Sequence, residues 1–186
     1  MSSIFTHRRC RACAADLIEV LNLGRLRLNA FPQLLSEVEV QQEVPHILCV
    51  CRGCGLAQLA HTTPPDWMFR QYWYRSSVNE AMQGELKTIA AQAIAMLGRD
   101  LYEGDWILDI GANDGTLLRA FETLAPRGNG DYSCRWTRVA VEPALNLQQH
   151  LKDCATVIVP DYFPTNQLDG RRRGFKIITA IAMAYD

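Results

Sequence analysis

Ten residues, Asp109-Ile110-Gly111-Ala112-Asn113-Asp114-Gly115-Thr116-Leu117-Leu118, follow the apolar stretch Trp106-Ile107-Leu108 and read as strand, tight turn and helix. A buried parallel strand that ends in an acid and two glycines brings bare backbone to a ligand at the carboxyl edge of a sheet, where open α/β folds bind nucleotides. A second apolar strand, Arg138-Val139-Ala140-Val141, ends in Glu142. That acid lies near the spacing at which a neighbouring strand accepts hydrogen bonds from ribose hydroxyls. The turn lacks the Gly-x-Gly-x-x-Gly of a dinucleotide fold, and Asp114 would set a carboxylate against a diphosphate. S-adenosylmethionine suits these residues better, because Asp109 and Asp114 would attract its sulfonium and amino group. The bland alternative, an ordinary strand-to-helix turn punctuated by Asn-Asp-Gly, leaves Glu142 unexplained.

Four of the seven cysteines form a second constellation. Cys10-x-x-Cys13 and Cys51-x-x-Cys54 each have the spacing at which one turn of backbone presents two thiolates to a tetrahedral metal, and zinc is the expected ion. Gly55 lets the chain turn sharply behind the second pair, whereas Ala14 behind the first makes a less ideal knuckle. The 37 residues between Cys13 and Cys51 exceed the usual gap, so the insert should carry structure of its own. Cys49 could replace Cys51 only in a less regular Cys-x4-Cys pair, and is expected to be a buried thiol or a neighbour of the site. A redox dithiol is the competing reading of a single Cys-x-x-Cys, but two pairs argue against it. Four thiolates leave no open position for water, so the ion's expected role is to fold a small lobe. Cys134 and Cys154 lie far along the chain and read as ordinary small residues.

The elements that must position these groups follow from periodicity. A zinc-binding lobe is expected over residues 7–62, with one strand over Asp16–Gly24, ending at that glycine, and another over His46–Val50. Thr62-Thr63-Pro64-Pro65 interrupts regular structure, and Trp67, Phe69, Tyr72, Trp73 and Tyr74 then form either an interlobe packing cluster or a cleft wall. Residues 63–100 are thus an aromatic linker and an amphipathic helix, the latter carrying Met82, Leu86, Ile89, Ala90, Ala93, Ile94 and Leu97 at three- and four-residue steps. Residues 101–186 alternate strand and helix: strands near 106–110, 138–141, 156–159 and 176–180, helices near 116–124 and 145–152. The fold class is α/β, a partial Rossmann-like sheet of about four parallel strands behind the zinc lobe. Arg171-Arg172-Arg173 reads as a solvated loop.

At 186 residues and 48% hydrophobic content the chain can bury a core. A net charge of -1 gives no basic face for nucleic acid, and the longest apolar stretch near the end, Ile177 to Tyr185, falls short of a membrane span. The amino end has no hydrophobic export segment, so a cytoplasmic protein is expected.

Several motifs match a known family in order: Cys10-Arg11-x-Cys13, Leu21-Asn22-Leu23-Gly24, Leu28-Asn29-Ala30-Phe31, Cys51-x-x-Cys54-Gly55-Leu56-x-Gln58-Leu59, Tyr72-x-Tyr74-x-Ser76-Ser77, the Asp109–Leu118 run, and Val141-Glu142-Pro143-Ala144-x-Asn146. The chain resembles the zinc-containing, S-adenosylmethionine-dependent C-methyltransferases that act on nucleotide-linked deoxysugars, over their amino-terminal part. The resemblance implies methyl transfer to a carbon beside a ketone, on a nucleotide-linked sugar or another small molecule. It implies that Asp109, Gly111, Asn113, Asp114 and Gly115 line the methionine end, that Glu142 holds the ribose, and that Asp161 with Tyr162 or Phe163 lies beside adenine. Tyr74 and Ser76 are the candidates to face the sugar, and Tyr185 and Asp186 correspond to a Tyr-Asp pair after the fourth strand. The family's later His-Glu-His segment and carboxyl-terminal lobe have no counterpart in the sequence. A fragment is therefore expected, incomplete for catalysis by itself and able to dock on a missing carboxyl-terminal portion. Two alternatives stay open: a non-catalytic zinc-stabilised binding module or vestigial fragment, and a methyltransferase acting on oxygen or nitrogen of another small molecule.

Overall fold

The computed structural model describes residues 3–28, 36, 41–98, 104–124, 136–169 and 174–183. The chain divides into two compact units, Met1–Trp73 and Tyr74–Asp186. Cys134, Arg171–Arg173, Tyr185 and Asp186, and the Asn29-Ala30-Phe31 part of the matching motif, lie outside the described residues.

In the first unit, β2 (Leu17–Arg27) and β3 (Glu43–Cys51) pair antiparallel, and β4 (Ala57–Leu59) joins on the far side of β3. A separate two-stranded ladder joins β1 (Phe5–Thr6) to β5 (His61–Thr62). The insert between the cysteine pairs is thus organised by a long antiparallel ladder. Its register, Leu17 opposite Cys51, sets the start of β2 beside the end of β3. The strand over Asp16–Gly24 does not stop at Gly24. It continues to Arg27, because Gly24 takes φ +74° within a register shift between Asn22 and Arg25, and its N–H is held by Asn22 Oδ1 at 2.8 Å. A glycine inside a strand pattern here marks a bulge rather than a terminus. The ladder is also irregular between Glu19 and Leu21. A single turn, α1 (Asp66–Phe69), follows the Thr63-Pro64-Pro65 break.

The second unit opens with a 3-10 turn, Ser76–Val78, and α2 (Glu80–Leu97). Asn79 caps α2 by accepting from Met82 N–H, and Gly98 ends it at φ +70°. The strands β6 (Trp106–Ile110), β7 (Thr137–Val141), β8 (Val157–Val159) and β9 (Ile177–Thr179) form an all-parallel sheet in the order β8-β7-β6-β9. Helix α3 (Thr116–Thr123) links β6 towards β7, and a 3-10 turn (Leu145–Leu147) runs into the short α4 (Gln148–Leu151) before β8.

Apolar residues at helical spacing on α2, Leu86 and Ala90, meet Leu117, Leu118 and Phe121 of α3 over Ile107, Ala140 and Ile177 of the sheet. The opposite face carries Leu108, Val139, Val141 and Val159 under Trp106, Leu168 and Phe175. Full burial of such side chains contributes about 1.5–3 kcal/mol each, so both faces of the sheet are committed to packing. Among the described residues no helix is long and apolar enough to cross a membrane.

Gly115 joins the turn after β6 to α3 at φ +81°, and a methyl group there would run into Cys154 Sγ, with Leu151 also within contact. Gly115→Ala is expected to cost about 2–4 kcal/mol, from the left-handed backbone and overpacking together. Adding Cys154→Ala should recover the steric part. Urea unfolding of the two variants measures both terms, and a Gly115→Ala protein as stable as the parent would contradict the packing described.

Candidate metal centre and donor cleft

The hairpin ends carry the two cysteine pairs, Cys10–Cys13 just before β2 and Cys51–Cys54 at the end of β3. Their four sulfurs all lie within 4.8 Å of one another, with Cys10 and Cys54 at 3.7 Å and Cys13 and Cys51 at 3.4 Å. A zinc ion with Zn–S bonds of ~2.3 Å needs a sulfur tetrahedron with edges of ~3.8 Å, so the donor set fits it. The two knuckles are near copies. Ala14 N–H bonds Cys10 C=O at 3.0 Å and Gly55 N–H bonds Cys51 C=O at 3.1 Å, with φ of 59° and 75°. The less ideal Ala14 therefore adopts the glycine conformation anyway. Main-chain N–H groups point at the sulfurs, from Ala12 to Cys10 (3.4 Å) and from Gly53 and Cys54 to Cys51 (3.2 and 3.4 Å).

Those bonds from Cys54 and Gly53 pull the Cys51 thiol down to about 6. A bond from Ala15 favours the Cys13 thiolate, but the neighbouring thiols of Cys51, Cys54 and Cys10 outweigh it and push Cys13 up to about 12. Four sulfurs this close cannot all shed their protons without a cation among them. Cys49 stays outside the cluster. It is buried on β3 opposite Glu19, and burial, then the Glu19 charge, push its thiol up. Gly53 was not singled out by spacing, yet a side chain there would sit 2.8 Å from Ala15 Cβ and 3.3 Å from Cys13 Sγ.

In the second unit the parallel register sets Asp109 beside Ala140 and Ile110 beside Val141, which leaves Glu142 one step past the end of β7. Gly111 and Ala112 N–H both bond Val141 C=O, at 2.8 and 3.2 Å, and Glu142 and Asp161 N–H both bond Val159 C=O, at 3.0 and 2.9 Å. The turns after β6, β7 and β8 are thereby laced together at one edge of the sheet. Gly111, at φ +70°, keeps its backbone bare, and a methyl group there would meet the Met183 side chain.

Glu142 is buried, and its carboxylate is held by Asn113 N–H on Oε2 (2.7 Å) and Ala144 N–H on Oε1 (2.8 Å). Burial raises its carboxyl above the ordinary value against the pull of those two bonds. Gln148 Nε2 donates to the Glu142 and Ala144 carbonyls at 2.6 and 3.0 Å and fixes this corner. Asp109 is buried within β6 and accepts from Thr179 Oγ1 at 2.8 Å. Desolvation carries it up to about 7, opposed by the Thr179 bond and assisted by the Glu142 charge.

The Asp114 carboxylate is bonded within the chain. Its side chain is buried, with Oδ1 accepting from Thr116 Oγ1 (2.6 Å) and Thr116 N–H (3.3 Å), and Oδ2 accepting from Ser77 N–H (3.0 Å). Although burial opposes it, the bonds from Ser77 and Thr116 bring its carboxyl below the ordinary value. Asn113, at φ 52°, accepts on Oδ1 from Ser76 N–H (3.0 Å) and Asp114 N–H (2.9 Å), and donates from Nδ2 to Tyr74 C=O (3.0 Å). Tyr74 and Ser76 are therefore brought to the turn after β6, while their side chains remain exposed and half-buried. After β8, Asp161 accepts from Tyr162 N–H (2.8 Å), Thr165 Oγ1 (3.1 Å) and Gln167 Nε2 (3.2 Å), and Phe163 is half exposed. Thr179 and Gln148 carried no motif, and Ser77 stood in the Tyr72-x-Tyr74-x-Ser76-Ser77 run without a role of its own. Ser77 contributes both its hydroxyl and its main-chain N–H to Asp114.

Two outcomes follow from these geometries. Purified protein should carry one zinc per chain by elemental analysis; Cys51→Ser should lose it together with the first unit's circular dichroism, and a variant that kept both would exclude this metal role. Asp109 binds its proton more tightly folded, at about 7 against an ordinary 3.8, so the native state holds a proton that the unfolded chain has shed between these values. Stability should then fall as pH rises from about 4 to 7, by on the order of 4 kcal/mol from this group. Asp109→Asn should flatten that slope in urea titrations, whereas an unchanged slope would assign it elsewhere.

Comparison with known proteins places these features. Residues 10–69, which include all four clustered cysteines, match the family described as "Putative zinc binding domain". Over 157 residues, 83% of this chain, the sequence is 29% identical to the C-methyltransferase NovU of Streptomyces niveus. The matched region is 34% of that relative, so the chain spans about a third of its length. The chain is thus similar to a C-methyltransferase along most of its sequence, with a zinc-binding segment at its amino end, as the paired knuckles and the Asn-Asp-Gly-Thr-Leu-Leu turn implied.

Proposed function

We propose that this chain supplies the zinc-binding lobe and the S-adenosylmethionine site of a methyltransferase acting on carbon beside the ketone of a nucleotide-linked deoxysugar. The observation that carries the reading is the single sheet edge shared by Glu142, Asp109 and the bare Gly111 turn. Among the described residues neither Asp109 nor Glu142 has an ion pair, so this edge suits a cationic ligand and repels a diphosphate. The donor's chemistry, when bound, is an electrophilic methyl group on a sulfonium.

The chain's own residues have separable tasks. Each Glu142 oxygen takes one main-chain N–H and keeps acceptor capacity for a ribose hydroxyl. Asp109, raised to about 7 by burial, lies near the methionine end, where a cationic ligand would favour its ionised form, and Phe163 offers an exposed ring beside adenine. Gly115 allows the tight entry to α3, and Asn113 and Asp114 shape the turn. Tyr74 and Ser76 face the acceptor, and the tetrathiolate metal, with no open position, is structural. The small-molecule acceptor and the carbon target rest on likeness to the relative.

Calorimetric titration with S-adenosylmethionine and S-adenosylhomocysteine tests the donor site. Binding is expected, and Glu142→Ala should weaken it by about 1–3 kcal/mol through the lost charge-assisted hydrogen bonds. No heat at millimolar ligand would remove the cofactor from this reading, and unchanged affinity in Glu142→Ala would misassign the acid.

A further inference from the structure

The segment Tyr74–Val78 buries no side chain of its 3-10 turn and is held to its unit by polar contacts. Three come from the turn after β6: Asn113 Nδ2 to Tyr74 C=O and Ser76 N–H to Asn113 Oδ1, each 3.0 Å, and the Asp114 carboxylate, which takes Ser77 N–H at 3.0 Å together with the Ser77 hydroxyl. The fourth comes from an exposed position on α2, where Gln83 Nε2 donates to Ser77 C=O at 2.7 Å. Asn113 Oδ1 is filled by two donors, while its own N–H bonds Glu142 Oε2. The residue that clamps the segment is therefore also bonded to the carboxylate assigned to the ribose. A segment held by a few solvent-accessible hydrogen bonds and no buried side chain is of the kind that opens locally.

We propose that Asn113, Asp114 and Gln83 are positioning residues that couple this strap to the donor site, so that filling the site closes Tyr74–Ser77 against the turn and acceptor binding follows donor binding. The inference rests on the donor-site reading above. The side chain of Asn113 serves the strap, and its contribution to donor affinity runs through strap closure. Coupling of this kind is reciprocal: the factor by which ligand favours the closed strap equals the factor by which opening the strap weakens the ligand.

Amide hydrogen exchange at Ser76 and Ser77, with and without S-adenosylhomocysteine, read beside calorimetry, tests this. Saturating ligand should raise protection of both amides by about 5- to 50-fold. Asn113→Gly, which keeps the positive φ and the N–H to Glu142, should abolish that protection and weaken the ligand by the same factor. Gln83→Ala leaves the donor turn untouched and should weaken the ligand in the same direction by a smaller factor. Binding without any change in protection at Ser76 and Ser77 would overturn the coupling, as would a Gln83→Ala protein with loosened strap amides and full affinity. A wild-type protein that gives no heat with S-adenosylhomocysteine would overturn the donor-site reading itself, and the coupling with it.

Discussion

A carboxylate stripped of water must regain its hydrogen bonds from the chain around it, and at Glu142 that demand organises the second unit's loop edge. Asn113 N–H and Ala144 N–H supply the bonds, which requires the turn after β6 to curl back over the end of β7. That curl is possible because Gly111 and Gly115 adopt left-handed φ and because Asn113 tolerates it. Once the turn is set, Asp114 can reach Thr116 and Ser77, and Asn113 can reach Ser76 and Tyr74. One desolvated acid thus fixes a turn, a helix start and a strap.

The first unit is organised by a different constraint, crowding of like groups. Pairing Leu17 with Cys51 forces the two knuckles together, and the resulting thiols push one another's titration apart. A divalent cation relieves that conflict and ties the hairpin base shut, which compensates for a lobe whose β2 side chains are nearly all exposed.

Much of this was legible in the residues. Cys-x-x-Cys spacing is dictated by metal geometry, and the strand-acid-glycine pattern by close backbone approach, so both survive without tertiary information. The four strands of the second unit and α2 likewise follow from period, and their parallel pairing from alternation, whereas the two- and three-residue strands β1, β4 and β5 are too short to show a period. What was not legible depends on the identity of distant main-chain groups. Asp114 reads as a charge offered to a ligand, yet its carboxylate is met within the chain by Thr116, by the N–H and hydroxyl of Ser77 and, at 4.0 Å, by Arg119, and spacing alone does not bring residue 77 beside residue 114. Thr179 reaches Asp109 across 70 positions of sequence, and Gly24 passes as a strand terminus until its bulge is seen.

That bulge bears on solubility. Among the described residues β2 is an outermost strand presenting Val20, Leu21 and Leu23 to solvent, a composition that invites another extended chain to add on and propagate. Two register breaks within its length interrupt the row of free peptide groups after only a few residues, so an incoming strand would find no long stretch to template upon.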